Sequence, residues 1–223
     1  SAGDPNYYVS ADGVQVSGSS LATGAGNIAI TGAGGIGAGG VLLDGTESNE
    51  TVLRTGTGDV NITGSSRSWT ATDPVAVYGS TVDFVDSSFP DVTTGNIGGI
   101  SMRGAIIDAG GRVAIDGTGS DMQGLTANSA FLTSASAANG GAGVSYGAGN
   151  GVSILGGSIT AGKGRDVSIS GTAGGKGFDV ANGAATVGND ASAVVLGMEA
   201  GGTVRAEGGR IAIDGRGGDV RVG

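Results

Sequence analysis

Arg210-Ile211-Ala212-Ile213-Asp214-Gly215 has the pattern of one short strand, with two isoleucines alternating with smaller or polar residues before an Asp-Gly turn signal. Nearly the same hexamer occurs as Arg112-Val113-Ala114-Ile115-Asp116-Gly117. Related forms are Asn27-Ile28-Ala29-Ile30-Thr31-Gly32, Asp59-Val60-Asn61-Ile62-Thr63-Gly64 and Asp166-Val167-Ser168-Ile169-Ser170-Gly171. Five copies of one strand-plus-turn define a repeat protein, and the repeat decides the fold.

A longer unit surrounds each hexamer. It has an apolar-x-apolar strand, then a single apolar residue beyond a turn, then the hexamer. Unit one carries Val14 and Val16, Leu21, then Ile28 and Ile30; unit two carries Val41 and Leu43, Val52, then Val60 and Ile62. Unit three has Ile100 and Met102, Ile106 or Ile107, then Val113 and Ile115. Unit four has Val152 and Ile154, Ile159, then Val167 and Ile169; unit five has Val194 and Leu196, Val204, then Ile211 and Ile213. Short period-2 segments bounded by Gly, Ser, Asn and Asp are strands. No stretch sustains a 3.6-residue apolar period, so almost no helix is expected.

Glycine fills 50 of 223 positions, yet only 3 prolines and no Gly-X-Y period exclude collagen. With 38% hydrophobic residues in patterned strands, the glycines mark turns rather than disorder. Aspartate outnumbers glutamate 16 to 4, which again favours turns over helices. Each hexamer glycine is expected to make a sharp corner, often at positive φ. A net charge of −9 argues against nucleic acid as a partner, since that needs a basic stripe. No run of 18 apolar residues is present, so no membrane span is expected in this segment. Cysteine is absent, which fits either chance in a composition dominated by small residues or export in an unfolded state through an oxidising compartment. The chain starts without Met and ends inside a repeat, so a piece of a much longer protein is expected.

No unit has enough apolar residues to close a core alone, so the units must stack. Val60 lies 32 residues beyond Ile28, Val113 53 beyond Val60, Val167 54 beyond Val113 and Ile211 44 beyond Val167. A three-sided coil takes about 20–30 residues, so each interval is expected to hold one or two coils, roughly 9–11 in total. The expected fold is all-β, a three-sided parallel β-helix over residues 1–223, with a rod length of about 45–50 Å. Residues 65–98 and 118–150 are expected to form irregular coils or loops. Ile213 is expected to point inward and be buried.

Gly151-Val152-Ser153-Ile154-Leu155-Gly156-Gly157-Ser158-Ile159-Thr160-Ala161-Gly162, followed by the hexamer at 166–171, resembles the repeats of filamentous-haemagglutinin-like bacterial exoproteins. Two-partner-secretion passengers and giant surface proteins with β-strand repeats belong to this group. The resemblance covers about two thirds of the chain and is periodic rather than catalytic. It implies a right-handed parallel β-helix, secretion or display on the bacterial cell surface, and adhesion to host-cell or surface glycans or proteins.

Candidate chemistry is sparse. Asp116 and Asp214 share a repeat position and Asp44 follows a first strand, so stacked carboxylates could hold Ca²⁺ or cleave a polysaccharide. The reading preferred for each is a turn aspartate before glycine, since turns select Asp and other copies have Thr31, Thr63 and Ser170 there. Gly174-Gly175-Lys176-Gly177-Phe178-Asp179-Val180-Ala181-Asn182 matches the calcium-binding nonapeptide once, which makes Asp179 the weak metal candidate; tandem copies are the rule for such sites. Gly32-Ala33-Gly34-Gly35-Ile36-Gly37 lacks the Lys and helix of a phosphate loop. With no His and no Cys, His-dependent triads and the usual zinc sites are excluded. Trp69, Tyr78, Phe84 and Phe89 are candidates for a sugar-stacking recognition loop, or for filling an irregular coil. The expected role is a rigid adhesive rod, not an enzyme, with no catalytic residue and no cofactor beyond the calcium candidate. The alternative is a polysaccharide-active β-helix enzyme, a lyase, hydrolase or epimerase. An ice-binding array would need Thr-x-Thr rows, and the outward positions are too mixed for one.

Overall fold

The computed structural model describes residues 12–36, 38–46, 48–68, 98–120, 149–178, 192–197, 202–218 and 220–222. Every regular element among them is a strand. Coil one is β1 (Val14–Ser17), β2 (Ser20–Thr23) and β3 (Ile28–Ile36); coil two is β4 (Val41–Asp44), β5 (Val52–Thr55) and β6 (Val60–Arg67). Coil three is β7 (Ile100–Arg103), β8 (Ile106–Ala109) and β9 (Val113–Thr118). Coil four is β10 (Val152–Leu155), β11 (Ser158–Ala161) and β12 (Val167–Thr172), extended by β13 (Lys176–Phe178). Coil five is β14 (Val194–Gly197), β15 (Thr203–Ala206) and β16 (Ile211–Arg216), extended by β17 (Val220–Val222), which pairs with β13.

The first, second and third strands of successive coils stack into three parallel five-stranded sheets, here A, B and C. This is a three-sided parallel β-helix. Its core is a set of aliphatic ladders in strict register. Sheet A contributes Val14–Val41–Ile100–Val152–Val194 and Val16–Leu43–Met102–Ile154–Leu196. Sheet B contributes Leu21–Leu53–Ile107–Ile159–Val204. Sheet C contributes Ile28–Val60–Val113–Val167–Ile211 and Ile30–Ile62–Ile115–Ile169–Ile213. The middle rungs are fully buried, each worth about 1.5–3 kcal/mol. The apolar positions assigned from sequence are these rungs, except that Leu53 rather than Val52 is the inward residue of β5.

Three expectations need correction. Among the described residues there are five coils, not 9–11, because every hexamer pairs directly with the next and no coil lies between them. The excess residues in each interval are insertions within one coil. At about 4.8 Å per strand the first and last rungs are about 19 Å apart, less than half the expected rod. Ile213 stands on the inward ladder but is 46% exposed, because β16 is the last strand of sheet C.

The hexamer glycines are the third correction. None has positive φ; the positive-φ glycines, Gly18, Gly104 and Gly156 among them, turn other corners. Gly32, Gly64, Gly117 and Gly171 lie inside their strands. A Cβ on each would strike the backbone carbonyl oxygen of Gly40, Gly99, Gly151 or Ala193, the residue leading into the next coil. Glycine is therefore required by close backbone approach, where sheet C ends and the next coil begins.

Candidate functional site

The long insertions share one address. Residues 69–97 leave after β6 and return before β7, residues 121–148 leave after β9 and return before β10, and residues 179–191 lie between β13 and β14. The first two join the end of sheet C to the start of sheet A, the corner with the glycine contacts, and the third joins β13, just beyond β12, to the start of sheet A. The same crossing from coil one to coil two needs only residues 37–40. Backbone bonds close the corner beneath the insertions: Val41 N–H donates to Gly99 O at 3.0 Å, Ile100 N–H to Gly151 O at 3.0 Å and Val152 N–H to Ala193 O at 2.9 Å. The aromatic candidates Trp69, Tyr78, Phe84 and Phe89, and the calcium candidate Asp179, lie outside the described residues. Of the nonapeptide, Lys176-Gly177-Phe178 forms β13 and is a rung of a two-stranded ladder with β17.

The three candidate carboxylates do not converge. Asp116 and Asp214 share a register position on sheet C, but Ser170 of β12 stands between them. Two strand spacings separate them by about 9–10 Å, too far to share one Ca²⁺ with ligands at about 2.3–2.6 Å. That distance is also at the upper limit for an inverting glycosidase pair, about 6.5–9.5 Å. Asp44 lies on sheet A, in register with Ser17 and Arg103. Among the described residues no group of three or more acidic side chains could hold a metal ion.

A different set of aspartates and asparagines has a defined task. They occupy the corner between sheets B and C, one residue before the third strand of coils one, two and four. Asn27 Oδ1 accepts from Asp59 N–H at 2.8 Å, Asp59 Oδ1 from Arg112 N–H at 2.7 Å, and Asp166 Oδ1 from Arg210 N–H at 2.8 Å. Each staple is returned by the backbone, as when Val60 N–H donates to Arg112 O at 2.9 Å and Val167 N–H to Arg210 O at 2.9 Å. Similar staples at the corner between C and A join Gly39 N–H to Asp12 Oδ1 and Ser192 N–H to Asn150 Oδ1, both at 2.7 Å. These side chains satisfy backbone donors where the ladders are interrupted. The sequence carries a signal for them, since Asn or Asp opens three of the five hexamers.

The staple row breaks at Arg112, since a guanidinium has no acceptor. A shallow groove of about 300 Å³ opens there, lined by Asp59, Asn61, Arg112, Asp166 and Ser168 among others. Arg112 Nη2 lies 3.9 Å from Asp59 Oδ2. The groove is lined by side chains of both charges and by polar uncharged ones. On sheet B, Arg54 Nε donates to Asp108 Oδ2 at 3.1 Å, a solvent-exposed pair. No helix among the described residues is long and apolar enough to cross a membrane. In comparison with known proteins, no family model matches the chain, and no curated protein or solved structure matches it, so the fold and the insertion corner are what its function must be argued from.

Proposed function

We propose that this chain is a structural and adhesive segment of a large secreted or cell-surface bacterial protein. The β-helix is a rigid scaffold, and the segments inserted at its corner between sheets C and A make the specific contacts with cell-surface or extracellular glycans or proteins. The observation that supports this reading is the common address of the insertions. Segments 69–97 and 121–148 replace a crossing that coil one makes with residues 37–40, and their ends are held on neighbouring rungs. A scaffold that pins variable segments side by side on a packed core is the usual arrangement for recognition. The aromatics Trp69, Tyr78, Phe84 and Phe89 all fall in the first of these segments.

The test is a panel of glycans and host cells probed with this chain, with Ca²⁺ or with chelator, while reducing-end release is followed in the same wells. Saturable binding without turnover, lost when 69–97 is replaced by the residues 37–40 crossing, is the expected result. Loss on chelation adds a calcium requirement. Turnover, or binding indifferent to replacement of both 69–97 and 121–148, overturns the proposal and returns attention to Asp116 and Asp214.

A further inference from the structure

The corner between sheets B and C repeats one bond at three of its four steps. Asn27, Asp59 and Asp166 each give a side-chain oxygen to the backbone N–H of the equivalent residue one coil on, which is Asp59, Arg112 and Arg210 in turn. The step from coil three to coil four lacks this bond, because Arg112 stands where the acceptor belongs and a guanidinium only donates. The backbone there keeps its course. The return bond is present at all four steps: Ile28 N–H to Asp59 O at 2.9 Å, Val60 N–H to Arg112 O at 2.9 Å, Val113 N–H to Asp166 O at 3.0 Å and Val167 N–H to Arg210 O at 2.9 Å. Asp166 N–H therefore faces the position that the other steps fill with a side-chain oxygen, and among the described residues it has no acceptor. The corner is also mismatched at this step. Three residues, 110–112, join the second and third strands of coil three, and five, 162–166, join those of coil four, against four in each other coil. The groove of about 300 Å³ opens at this mismatch, with Arg112, Asp166 and Ser168 on its walls.

We infer that this groove binds the acetamido group of an N-acetylated amino sugar, whose carbonyl oxygen takes the place of the missing side-chain acceptor. The fold itself shows the chemistry: at the first step the acceptor is the carboxamide oxygen of Asn27, a planar amide of the same kind. The Arg112 guanidinium is a second donor for that oxygen. An amide fits the charges better than a carboxylate does, since Asp59 and Asp166 set two negative groups against the one positive charge of Arg112. Asp166 uses Oδ1 for Arg210 N–H, which leaves its other oxygen to accept from the amide N–H of the sugar. Ala114 offers a methyl to the acetyl methyl, and Asn61 and Ser168 offer polar groups to the ring hydroxyls. A peptide side chain would need an apolar hollow, and among the described residues no exposed large apolar side chain lies on this groove. The site is at a different corner from the insertions and stands independently of the contacts proposed for them.

The test titrates the full isotope-labelled chain with the disaccharide of N-acetylglucosamine and follows the Asp166 backbone amide by NMR. A saturable shift of that amide, absent with a disaccharide of glucose, is the expected result. Arg112→Asn supplies the acceptor from within the chain. It is expected to raise the thermal midpoint, slow exchange at the Asp166 amide and weaken sugar binding by about 10-fold or more. Weaker binding in a more stable variant separates a filled site from a misfolded one. An Asp166 amide unmoved by the acetylated sugar, an equal shift with the glucose disaccharide, tighter binding of acetate or of an asparagine peptide, or unchanged binding in Arg112→Asn would each overturn the inference. Its failure would leave the reading of the insertions untouched, because the signal comes from one amide at the other corner.

Discussion

Ile115 and Ile213 occupy the same position of nearly identical hexamers, on one ladder of sheet C, and differ in what lies beyond them. Ile115 is 1% exposed between Ile62 and Ile169; Ile213 is 46% exposed with Ile169 on one side only. Truncation of Ile115 to alanine removes buried methyl groups and leaves a cavity that neighbouring rungs cannot fill, at a cost of about 2–5 kcal/mol. At Ile213 water already reaches about half of the side chain, so the transfer cost is roughly halved to about 1 kcal/mol, and no closed cavity forms. With a urea slope of about 1–3 kcal/mol per molar, Ile115→Ala should lower the midpoint by about 1 M or more, and Ile213→Ala by less than half as much. Far-UV circular dichroism gives the midpoints, and amide exchange shows which coils open, because stacked repeats unfold in parts. Equal midpoint shifts for the two variants would refute the difference in burial between these two rungs. By the same reasoning, Ile213→Asp should leave coils one to four folded, where burial would have lost the surrounding coils.

Gly117→Ala should destabilise by about 1–3 kcal/mol, because its Cβ meets the Gly151 carbonyl, whereas Gly24→Ala, with nothing within 4 Å, should be neutral or gain about 0.4–1 kcal/mol; thermal melts compare them. Asp166→Ala should cost about 1 kcal/mol and increase exchange at the Arg210 amide, while Asp166→Asn keeps the acceptor and should behave as the parent does. A double-mutant cycle on Arg54 and Asp108 should give a coupling of less than about 1 kcal/mol that shrinks with salt, since both side chains are half exposed or more.

The strands were legible because their inward positions repeat with period 2 in all five units, from Val14 and Val16 to Ile211 and Ile213. Spacing alone could not fix the number of coils. An interval of 53 residues holds either two short coils or one coil with a long insertion, and only the pairing of Val60 with Val113 separates them. The hexamer glycine was legible as a constraint but not as to its cause. Positive φ and backbone crowding leave the same residue in the sequence, and the crowding partner, Gly151 for Gly117, is 34 residues away. The carboxylates misled for a related reason. Asp116 and Asp214 share a repeat position, but β12 lies between them with Ser170 at that place, whereas Asp59 and Asp166 are engaged by backbone N–H groups one coil further on.

Gathering the insertions at one corner also determines how the chain finds its fold. Coils one and two have hexamers only 32 residues apart, against 53 and 54 for the next two steps. Closing the longer loops costs about 0.5 kcal/mol more chain entropy, since that cost grows only with the logarithm of length. At equilibrium an insertion of almost any length is therefore nearly free, and the corner tolerates new sequence without disturbing the ladders. Kinetically the order matters more: coils one and two pair across the shortest separations, β1 with β4 and β3 with β6, and present a finished edge, on which each later coil docks after its own excursion. A chain appearing N-terminus first would wind from coil one onward, with each insertion released to one side of the growing rod.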